Sequence, residues 1–355
     1  MNPYDSNNFI ATSTNKYLVP NLIDTVLRGN EFFGEVLADT RDFYSPYMEF
    51  PIKYQTGVPG VFFSGFDVLP QTFINTNVNM VYYPKFFAVN VALAGTDISV
   101  NETMMQTMKV TTLQMQSRAQ EMADAVGTYF YGDGSAFSGK AFNGLTNLVS
   151  DGTTPNSATI GGLYRAVYPT LQGKLNPSGG TLTLLNMRQT ANDISDGGIQ
   201  PNYLLADYNT VALVEQLYLP FLRLNASLAG TMSHQSLTRQ REGLIGESGY
   251  RALVWDGIPV IRDRKCPAGN LYFLNLNYLK FYSQKYYRGT RTSLKGKYIK
   301  ANIYEEGKDV GNAFTWTGWI ESINMAAVNG FIIMGGEFLT NDPRRQGLLY
   351  GITNV

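Results

Sequence analysis

Alternating apolar and polar positions predict a long β-hairpin in the first hundred residues. In residues 47–54 every second side chain is apolar or aromatic, from Met48 to Tyr54, and Pro51 on the other face restricts the strand to a sheet edge. Residues 74–82 alternate in the same way, with asparagines on the opposite face. The glycines and prolines between the segments predict an extended loop at the tip. Because a two-stranded ribbon is only marginally stable in water, the hairpin needs another surface to lie on.

A long amphipathic helix is predicted after the next one-faced strand, at residues 87–93. No Gly or Pro interrupts residues 96–126, and the spacing predicts a helix over residues 101–126. Ser99 and Glu102 fit a capping box at its start, and Gly127 fits a left-handed stop at its end. The side chains that repeat at helical spacing are expected to form its core face: Met104, Met108, Met115, Ala119, Met122 and Val126.

Helix and strand patterns then alternate from about residue 158 to 280, which predicts a second, α/β-like domain in an α+β chain. Asp207 fits a helix cap after the apolar strand 203–206, and Asp256–Gly257 is a strong hairpin signal. Elsewhere residues 1–24 are expected to form an extended arm, with a short helix at 21–28. The remaining predictions are a helix at 182–194 closed by two glycines and strands at 254–261, 271–274, 298–304, 314–320 and 329–334.

Composition indicates a chain that contacts partners through much of its surface. Lys+Arg and Asp+Glu are both 28, so no strongly basic nucleic-acid binder is indicated. Charged residues make up only 16%, while 23 Tyr, 20 Phe and 35 Gly suit strands, turns and contact surfaces. A Tyr-rich monomer is the alternative. The lone Cys266 excludes an internal disulfide, and neither a secretory signal nor a membrane span is evident.

The candidate catalytic motifs are weak, and no catalytic, cofactor-binding or metal-binding residue is predicted. Residues 134–140 match a phosphate-binding loop up to Lys140, but Ala141 stands where the magnesium-binding Ser or Thr is required. His234 is the sole histidine, so a metal site with two histidines is impossible. Glu305 and Glu306 lie in a charged segment typical of a solvated turn.

A cluster of six cations without an acidic residue lies between residues 285 and 300. Such a segment can contact phosphate backbones without sequence preference, or it can protect a strand edge or pair with acidic groups of a neighbour. The candidate DNA-facing or inter-subunit basic residues are Lys285, Arg288, Arg291, Lys295, Lys297 and Lys300.

The order of these elements resembles the tailed-bacteriophage major capsid proteins of the Hong Kong 97-type fold. Arm, hairpin loop, long helix, Gly-rich turn, α/β region and terminal strands follow one another over nearly the whole chain. Three local stretches support the resemblance: the helix exit at 132–134 with 142–145, the region 254–260 with 266–267 and 271–275, and the closing segment 314–319, 329–331 and 341–345.

The resemblance implies a division of the chain into five parts. They are an amino-terminal arm (1–45), an extended β-hairpin loop with its return strand (46–95), a spine helix and connector of the peripheral domain (96–154), an α/β axial domain (155–280) and peripheral-domain strands with the carboxy terminus (281–355).

The resemblance also implies a function without enzymatic activity. The chain would self-assemble as pentamers and hexamers into an icosahedral head in the host cytoplasm, enclosing double-stranded DNA through nonspecific contacts, and would need no cofactor or membrane. Portal and separate scaffold or decoration proteins are expected partners. An encapsulin-like cellular nanocompartment shell is the alternative, and a soluble nucleotide-binding enzyme is a remote one.

The extended loop is the predicted contact with a neighbouring subunit. Some relatives cross-link a loop lysine to a neighbour's asparagine, and Lys53 or Lys85 could donate, but no acceptor can be assigned and no covalent chemistry is expected. The candidate inter-subunit contacts are Lys53, Tyr54, Gly57, Gly60, Phe62, Phe63 and Phe66.

Overall fold

The computed structural model describes residues 30–43, 45–69, 71–96, 110–154, 156–195, 197–225, 253–284, 314–317, 319–321 and 326–353. Their helices and strands confirm the predicted α+β class. The chain divides into two compact units, each assembled from three separate stretches. The first contains Met1–Met48, Tyr82–Asn143 and Lys280–Leu339, and the second Glu49–Val81, Gly144–Leu279 and Thr340–Val355.

The described elements follow in chain order. The helices are α1 (Glu31–Ala38), α2 (Val110–Tyr129), α3 (Leu145–Leu148), α4 (Leu184–Ile194) and α5 (Tyr208–Asn225), with 3-10 turns at Pro169–Leu171 and Pro343–Arg345. The strands are β1 (Arg41–Asp42), β2 (Met48–Lys53), β3 (Asn77–Tyr82), β4 (Lys85–Ala94), β5 (Thr159–Ile160), β6 (Leu163–Tyr164), β7 (Lys174–Gly180), β8 (Tyr203–Ala206), β9 (Leu253–Trp255), β10 (Ile258–Arg262), β11 (Leu271–Leu274), β12 (Leu279–Ser283), β13 (Phe314–Trp316), β14 (Ile320–Glu321), β15 (Ala327–Thr340) and β16 (Gly347–Ile352).

The sheet of the first unit is organised around the long strand β15. Strands β12, β13, β14 and β4 all pair with β15, and β1 extends the sheet beyond β12. The antiparallel pairing with β4 runs from Ala327 opposite Ala94 to Gly336 opposite Lys85. Gly336 has φ +148°, and a Cβ there would lie 2.2 Å from the carbonyl oxygen of Tyr282. Glycine is therefore required where β12 approaches β15 so closely.

An aromatic cluster forms the core of the first unit. The rings of Phe130, directly after α2, and Phe338, on β15, stack with centroids 4.8 Å apart. Phe33 of α1 meets Phe130 edge-on at 5.4 Å, and Phe281 and Phe142 complete the cluster. Each ring excludes a large apolar area from water, and the edge-on and offset contacts add favourable quadrupole interactions.

The long helix departs from its prediction at its carboxy-terminal end and on part of its core face. Helix α2 continues through Gly127 to Tyr129, so the prediction that Gly127 ends the helix is wrong. Asn30 caps α1 and donates to the carbonyl of Ala123, and a Cβ on Gly127 would overlap the Asn30 amide at 1.4 Å. Gly127 is thus the position where the cap of α1 comes closest to α2. Met122 and Val126 are buried as predicted, whereas Ala119 is exposed.

The second unit contains a mixed sheet in the order β7-β16-β11-β8-β10-β9. Helices α4 and α5 supply apolar side chains to a core shared with the sheet, including Met187 of α4, Val214 of α5 and Phe273 of β11, all with 0% exposure. Strands β8 and β11 are buried at every residue. Such continuous burial explains why their sequences are apolar throughout rather than alternating.

Two local signals of the second unit are confirmed. The side chain of Asp207 accepts from the backbone N–H of Asn209 at 3.1 Å at the start of α5, as a helix cap should. Asp256 and Gly257 have φ of +50° and +80° between the antiparallel strands β9 and β10. Positive φ at both central residues is the geometry of the predicted hairpin turn.

Two elements that were not predicted from the sequence lie in segments assigned to other parts of the chain. Helix α1 lies inside the segment assigned to the arm (1–45), yet Phe32, Phe33 and Val36 are buried. Strand β16 pairs with β7 and β11 and brings residues 340–355 into the second unit rather than the peripheral strands (281–355). The predicted start of the long helix, the helix at 21–28 and the strand at 298–304 lie outside the described residues.

Candidate functional site

The predicted hairpin is present, and the second unit supports its base. Strands β2 and β3 form a two-stranded sheet in which Met80 is fully buried. The backbone N–H of Val81 donates to the carbonyl of Gly161 at 2.9 Å, and a Cβ on Gly161 would lie 2.7 Å from the Cβ of Met80. Tyr54 meets Tyr168 edge-on at 5.0 Å. The hairpin base therefore rests on its own chain.

Buried Arg165 holds together the segments that support the hairpin. Its guanidinium is fully buried and donates to the carbonyl oxygens of Ser157 at 2.9 Å and Ser150 at 2.7 Å, and also to those of Asn147 and Leu171. A planar group with five donors can join several backbone segments in this way. The sequence offered no signal for this role, because an arginine is normally a surface residue.

The loop between the two strands, residues 54–76, exposes its apolar side chains and is here called the apolar loop. Phe62 and Phe66 are 108% and 106% exposed, Val68 is 93% exposed and Phe73 is 89% exposed. Val61, Phe63, Leu69 and Ile74 are exposed as well. Phe62 and Phe66, being fully exposed, contact nothing in the described part of their own chain. Apolar side chains exposed together in this way are typical of interaction surfaces.

A hydrogen-bonded turn shapes the outer part of the apolar loop. The backbone N–H of Asp67 donates to the carbonyl of Ser64 at 3.2 Å, and the Asp67 carboxylate accepts from the Ser64 N–H at 2.8 Å. Gly65 has φ +52°, a value that a side chain would disfavour. The turn presents Phe66 beside Asp67, which is the only charged residue in the sequence of the loop.

The predicted contact residues fall into two groups. Phe62, Phe63, Phe66, Gly60 and Lys53 are exposed. Tyr54 and Gly57 are half-buried; Tyr54 is held by Tyr168, and its hydroxyl donates to the carbonyl of Asn75 at 3.1 Å. The prediction omitted the other exposed apolar residues of the loop, although they are visible in the sequence: Val61, Val68, Leu69, Phe73 and Ile74. The six predicted basic residues, Lys285 to Lys300, lie outside the described residues.

The partial phosphate-binding motif at residues 134–140 does not have the geometry of such a loop. It follows helix α2 instead of a strand, and Asp133 accepts from the backbone N–H of Ser135 at 2.9 Å in a local turn. Phe137 and Ser138 are in the left-handed region, with φ of +54° and +58°. A nucleotide-binding loop would instead open a helix with free N–H groups. Within the described ranges, no group of three or more His, Cys, Asp or Glu could hold a metal ion.

Glu337 is a buried carboxylate of the first unit. It is 1% exposed, and burial raises its pKa to about 7 in spite of the opposing charge of Lys85, whose Nζ lies 3.2 Å from Glu337 Oε2. Its Oε1 accepts from the backbone N–H groups of Asn143 at 2.7 Å and Phe338 at 3.2 Å. The carboxylate therefore joins β15 to β4 and to the segment after α2.

Cys266 is buried in the second unit, where its thiol is poorly reactive. Burial raises the pKa of the thiol well above its usual value, and the charges of Asp207 and Asp263 raise it further. Because the thiolate is the nucleophile, a raised pKa suppresses oxidation and exchange. No helix in the described part of the chain has the length and apolar character needed to cross a membrane.

Comparisons with known proteins identify the fold. No protein-family model matches the sequence, and no curated protein sequence matches it significantly. Among solved structures, the chain is similar to that of the cyanophage A-1(L) capsid, with a TM-score of 0.68, 16% identity and coverage of 95% of this chain and 96% of that chain. It also resembles the capsid of the Myoviridae phage XM1, with a TM-score of 0.54, 9% identity and coverage of 95% and 97%.

A cellular shell protein has the same fold. The chain is similar to the SrpI encapsulin of Synechococcus elongatus PCC 7942, with a TM-score of 0.58, 10% identity and coverage of 96% of this chain and 93% of that chain. These likenesses extend over nearly the full length of each protein. The chain therefore has the Hong Kong 97-type capsid fold, as the order of its sequence elements predicted.

Proposed function

We propose that this chain is the major capsid protein of a tailed bacteriophage. In this function it assembles as pentamers and hexamers into an icosahedral head that encloses double-stranded DNA. The apolar loop is the observation that supports the proposal most strongly. A chain with a shell-forming fold exposes eight apolar side chains on one loop, and assembly provides the surface that buries them.

The energetics of the loop agree with assembly. Burying a Phe or Val side chain contributes about 1.5–3 kcal/mol, so a few such side chains together provide an association energy in the range of a weak protein contact. In a closed shell each subunit makes several contacts at once, and the effective concentration makes the whole far more stable than one contact. Weak individual contacts also allow misplaced subunits to dissociate.

The direct test is electron microscopy and mass photometry of the purified chain. The wild-type chain should form closed shells, alone or with a co-expressed scaffold partner from the same genome. A variant carrying Phe62→Ser, Phe66→Ser and Phe73→Ser should stay in small species at the same concentration. The matched control replaces three exposed apolar residues of the second unit, Tyr164, Val167 and Leu185, with Ser and should still assemble. A loop variant that assembles normally would refute the role of the loop.

An encapsulin-like nanocompartment is the second candidate, because the SrpI encapsulin is similar over 96% of this chain. The contents of the native particle distinguish the two functions. A phage head should contain nuclease-protected, genome-length double-stranded DNA, whereas a nanocompartment should contain a protein cargo and no such DNA. Portal and separate scaffold or decoration proteins belong to the first proposal and should copurify with immature heads.

The basic residues between Lys285 and Lys300 are proposed to contact the packaged DNA or a neighbouring subunit. Replacing all six with Gln separates these roles. Loss of DNA retention from intact shells, with a steeper loss at high salt, indicates contact with phosphates. Loss of the shells themselves indicates contact between subunits.

A further inference from the structure

The first unit has an apolar cleft next to the motif that resembles a phosphate-binding loop. The cleft, here called the aromatic cleft, has a volume of about 370 Å³. Buried Phe142 and Ala141 form its floor, and Phe86 and Phe137 on its edge are exposed. Its lining residues are Phe86, Phe87, Ala88, Tyr129, Phe137, Lys140, Ala141 and Phe142.

Aromatic contacts shape one side of the cleft. The ring centroids of Phe87 and Tyr129 are 5.9 Å apart, and those of Tyr129 and Phe137 are 5.7 Å apart with the planes at 64°. Phe137 is nevertheless 63% exposed, so its ring has a free face. A further aromatic side chain could pack against it with the same edge-on geometry.

The backbone at the edge of the cleft is held in an unfavourable conformation. Phe137 and Ser138 are both left-handed, and Gly139 follows with φ +82°. The N–H of Gly139 donates to the carbonyl of Ser135 at 3.0 Å, and the N–H of Ala141 donates to that of Ala136 at 3.1 Å. Strain at non-glycine residues is typical of functional sites. Here the left-handed residues include Phe137, whose ring is 63% exposed at the edge of the cleft.

The charges of the cleft and of the apolar loop are complementary. Lys140 is exposed and is the only charged residue among the described residues that line the cleft. Asp67 is the only charged residue in the sequence of the apolar loop, and it directly follows Phe66. The apolar loop thus presents the ring of Phe66 next to the carboxylate of Asp67. The aromatic cleft offers the complementary features, an apolar lining next to the ammonium group of Lys140.

We infer that the aromatic cleft of one subunit binds Phe66 from the apolar loop of a second copy, with Asp67 of that loop paired to Lys140. This inference rests on the proposed assembly function and names the contact that the loop makes. The occupant comes from another molecule, because Phe66 is fully exposed in its own chain. Binding of the loop of one copy in the cleft of another is a head-to-tail contact between two different surfaces. Such contacts can close into rings. Pentamers and hexamers are rings of this kind.

Disulfide trapping in assembled shells tests the contact. The variant Asp67→Cys/Lys140→Cys is assembled under reducing conditions and then oxidised mildly. Non-reducing electrophoresis should show covalent multimers in a ladder that ends at five and six subunits. Buried Cys266 does not compete. The matched control, Asp67→Cys/Lys174→Cys, places the second thiol at an exposed lysine of the second unit and should give no ladder.

A charge exchange tests the same contact without cysteines. Asp67→Lys alone and Lys140→Asp alone should each raise the concentration needed for assembly roughly tenfold, because each places like charges together. The double exchange, Asp67→Lys/Lys140→Asp, should lower it again below that of either single exchange, with incomplete recovery because the lysine introduced at position 67 cannot accept from the Ser64 N–H.

The outcomes separate this inference from the proposed function. Shells that assemble normally but give no ladder, together with a double exchange no better than either single one, refute the cleft contact and leave the capsid function intact. A wild-type chain that never forms shells with its scaffold partner refutes the capsid function itself. If the double cysteine variant does not assemble, the charge exchange alone decides the matter.

Discussion

Strand β11 and the apolar loop contain similar side chains in opposite environments. Leu271, Phe273 and Leu274 of β11 are completely buried, whereas Phe62 and Phe66 are completely exposed. Strand β11 pairs with β8 on one side and β16 on the other, so its backbone N–H and C=O groups are satisfied. The loop contains four glycine and proline residues between positions 57 and 65, which prevent a second ladder of this kind.

The difference shows two uses of apolar side chains in one chain. Those of β11 stabilise the subunit, because they leave water when the chain folds. Phe62 and Phe66 of the apolar loop, being fully exposed, add little to the stability of an isolated subunit. In the proposed assembly they become stabilising when a second molecule covers them. Substitutions in the two regions should therefore change different measurements.

The largest effect on subunit stability is expected for Phe273→Ala. The side chain is fully buried in the sheet of the second unit and meets Trp255 edge-on at 5.9 Å, so its removal leaves a cavity. The free energy of unfolding should fall by about 3–5 kcal/mol. Urea denaturation of the unassembled subunit measures it. A loss below about 1 kcal/mol would mean that this core is not packed as described.

The next effect is a pH dependence from Glu337 in the first unit. Its pKa is about 7 in the folded chain against a usual value of 4.5, so the folded state retains a proton that the unfolded state releases between these pH values. The stability that Glu337 contributes therefore falls as pH rises through this window, by up to about 3 kcal/mol.

Comparison with Glu337→Gln isolates this titration from all the others. The difference in unfolding free energy between wild type and variant should be most favourable to the wild type near pH 4.5 and decline towards pH 7, then level off. A difference that is constant over this range would contradict the raised pKa. Lys85→Met is a useful second variant, because removing the cation should raise the pKa of Glu337 further.

A smaller effect is expected in the hairpin turn of the second unit. Gly257 has φ +80° and no described atom lies within 4 Å of the position that a Cβ would take, so Gly257→Ala costs only the left-handed conformation, about 1 kcal/mol. Gly60→Ala in the apolar loop is the matched control. Its Cβ would also meet nothing and its φ is not left-handed, so the stability should be unchanged or slightly increased. Thermal unfolding of both variants checks the contrast.

The smallest effect on subunit stability is expected for Phe66 in the apolar loop, the residue whose substitution should affect assembly most. Phe66→Ser should change the unfolding free energy of the unassembled subunit by less than about 0.5 kcal/mol, because the ring is fully exposed. Light scattering should nevertheless show slower or absent shell formation. Equal losses of subunit stability for Phe66→Ser and Phe273→Ala would remove the distinction between the two regions.

Elements with strong local signals were predictable from the sequence. The hairpin β2–β3, the buried strand β8, the Asp207 cap and the turn at Asp256–Gly257 all carry their signals in residues within a few positions of one another. The exposed Phe62, Phe63 and Phe66 also follow from the sequence, because glycine and proline on both sides keep them out of any ladder. Their role in assembly remains a prediction.

Contacts between residues far apart in the sequence decided the features that the sequence did not predict. Gly127 has the sequence signature of a helix end, but Asn30, far earlier in the chain, occupies the space beside it and the helix continues. Strand β16 joins the second unit because β7 and β11 offer edges that no local pattern reveals. The environment of Glu337 likewise depends on Lys85 and Asn143, which are distant in sequence. The sequence by itself determined the local conformations and the apolar character of the loop. Only the tertiary structure decided which elements pack against each other, because those contacts join residues that are far apart in the sequence.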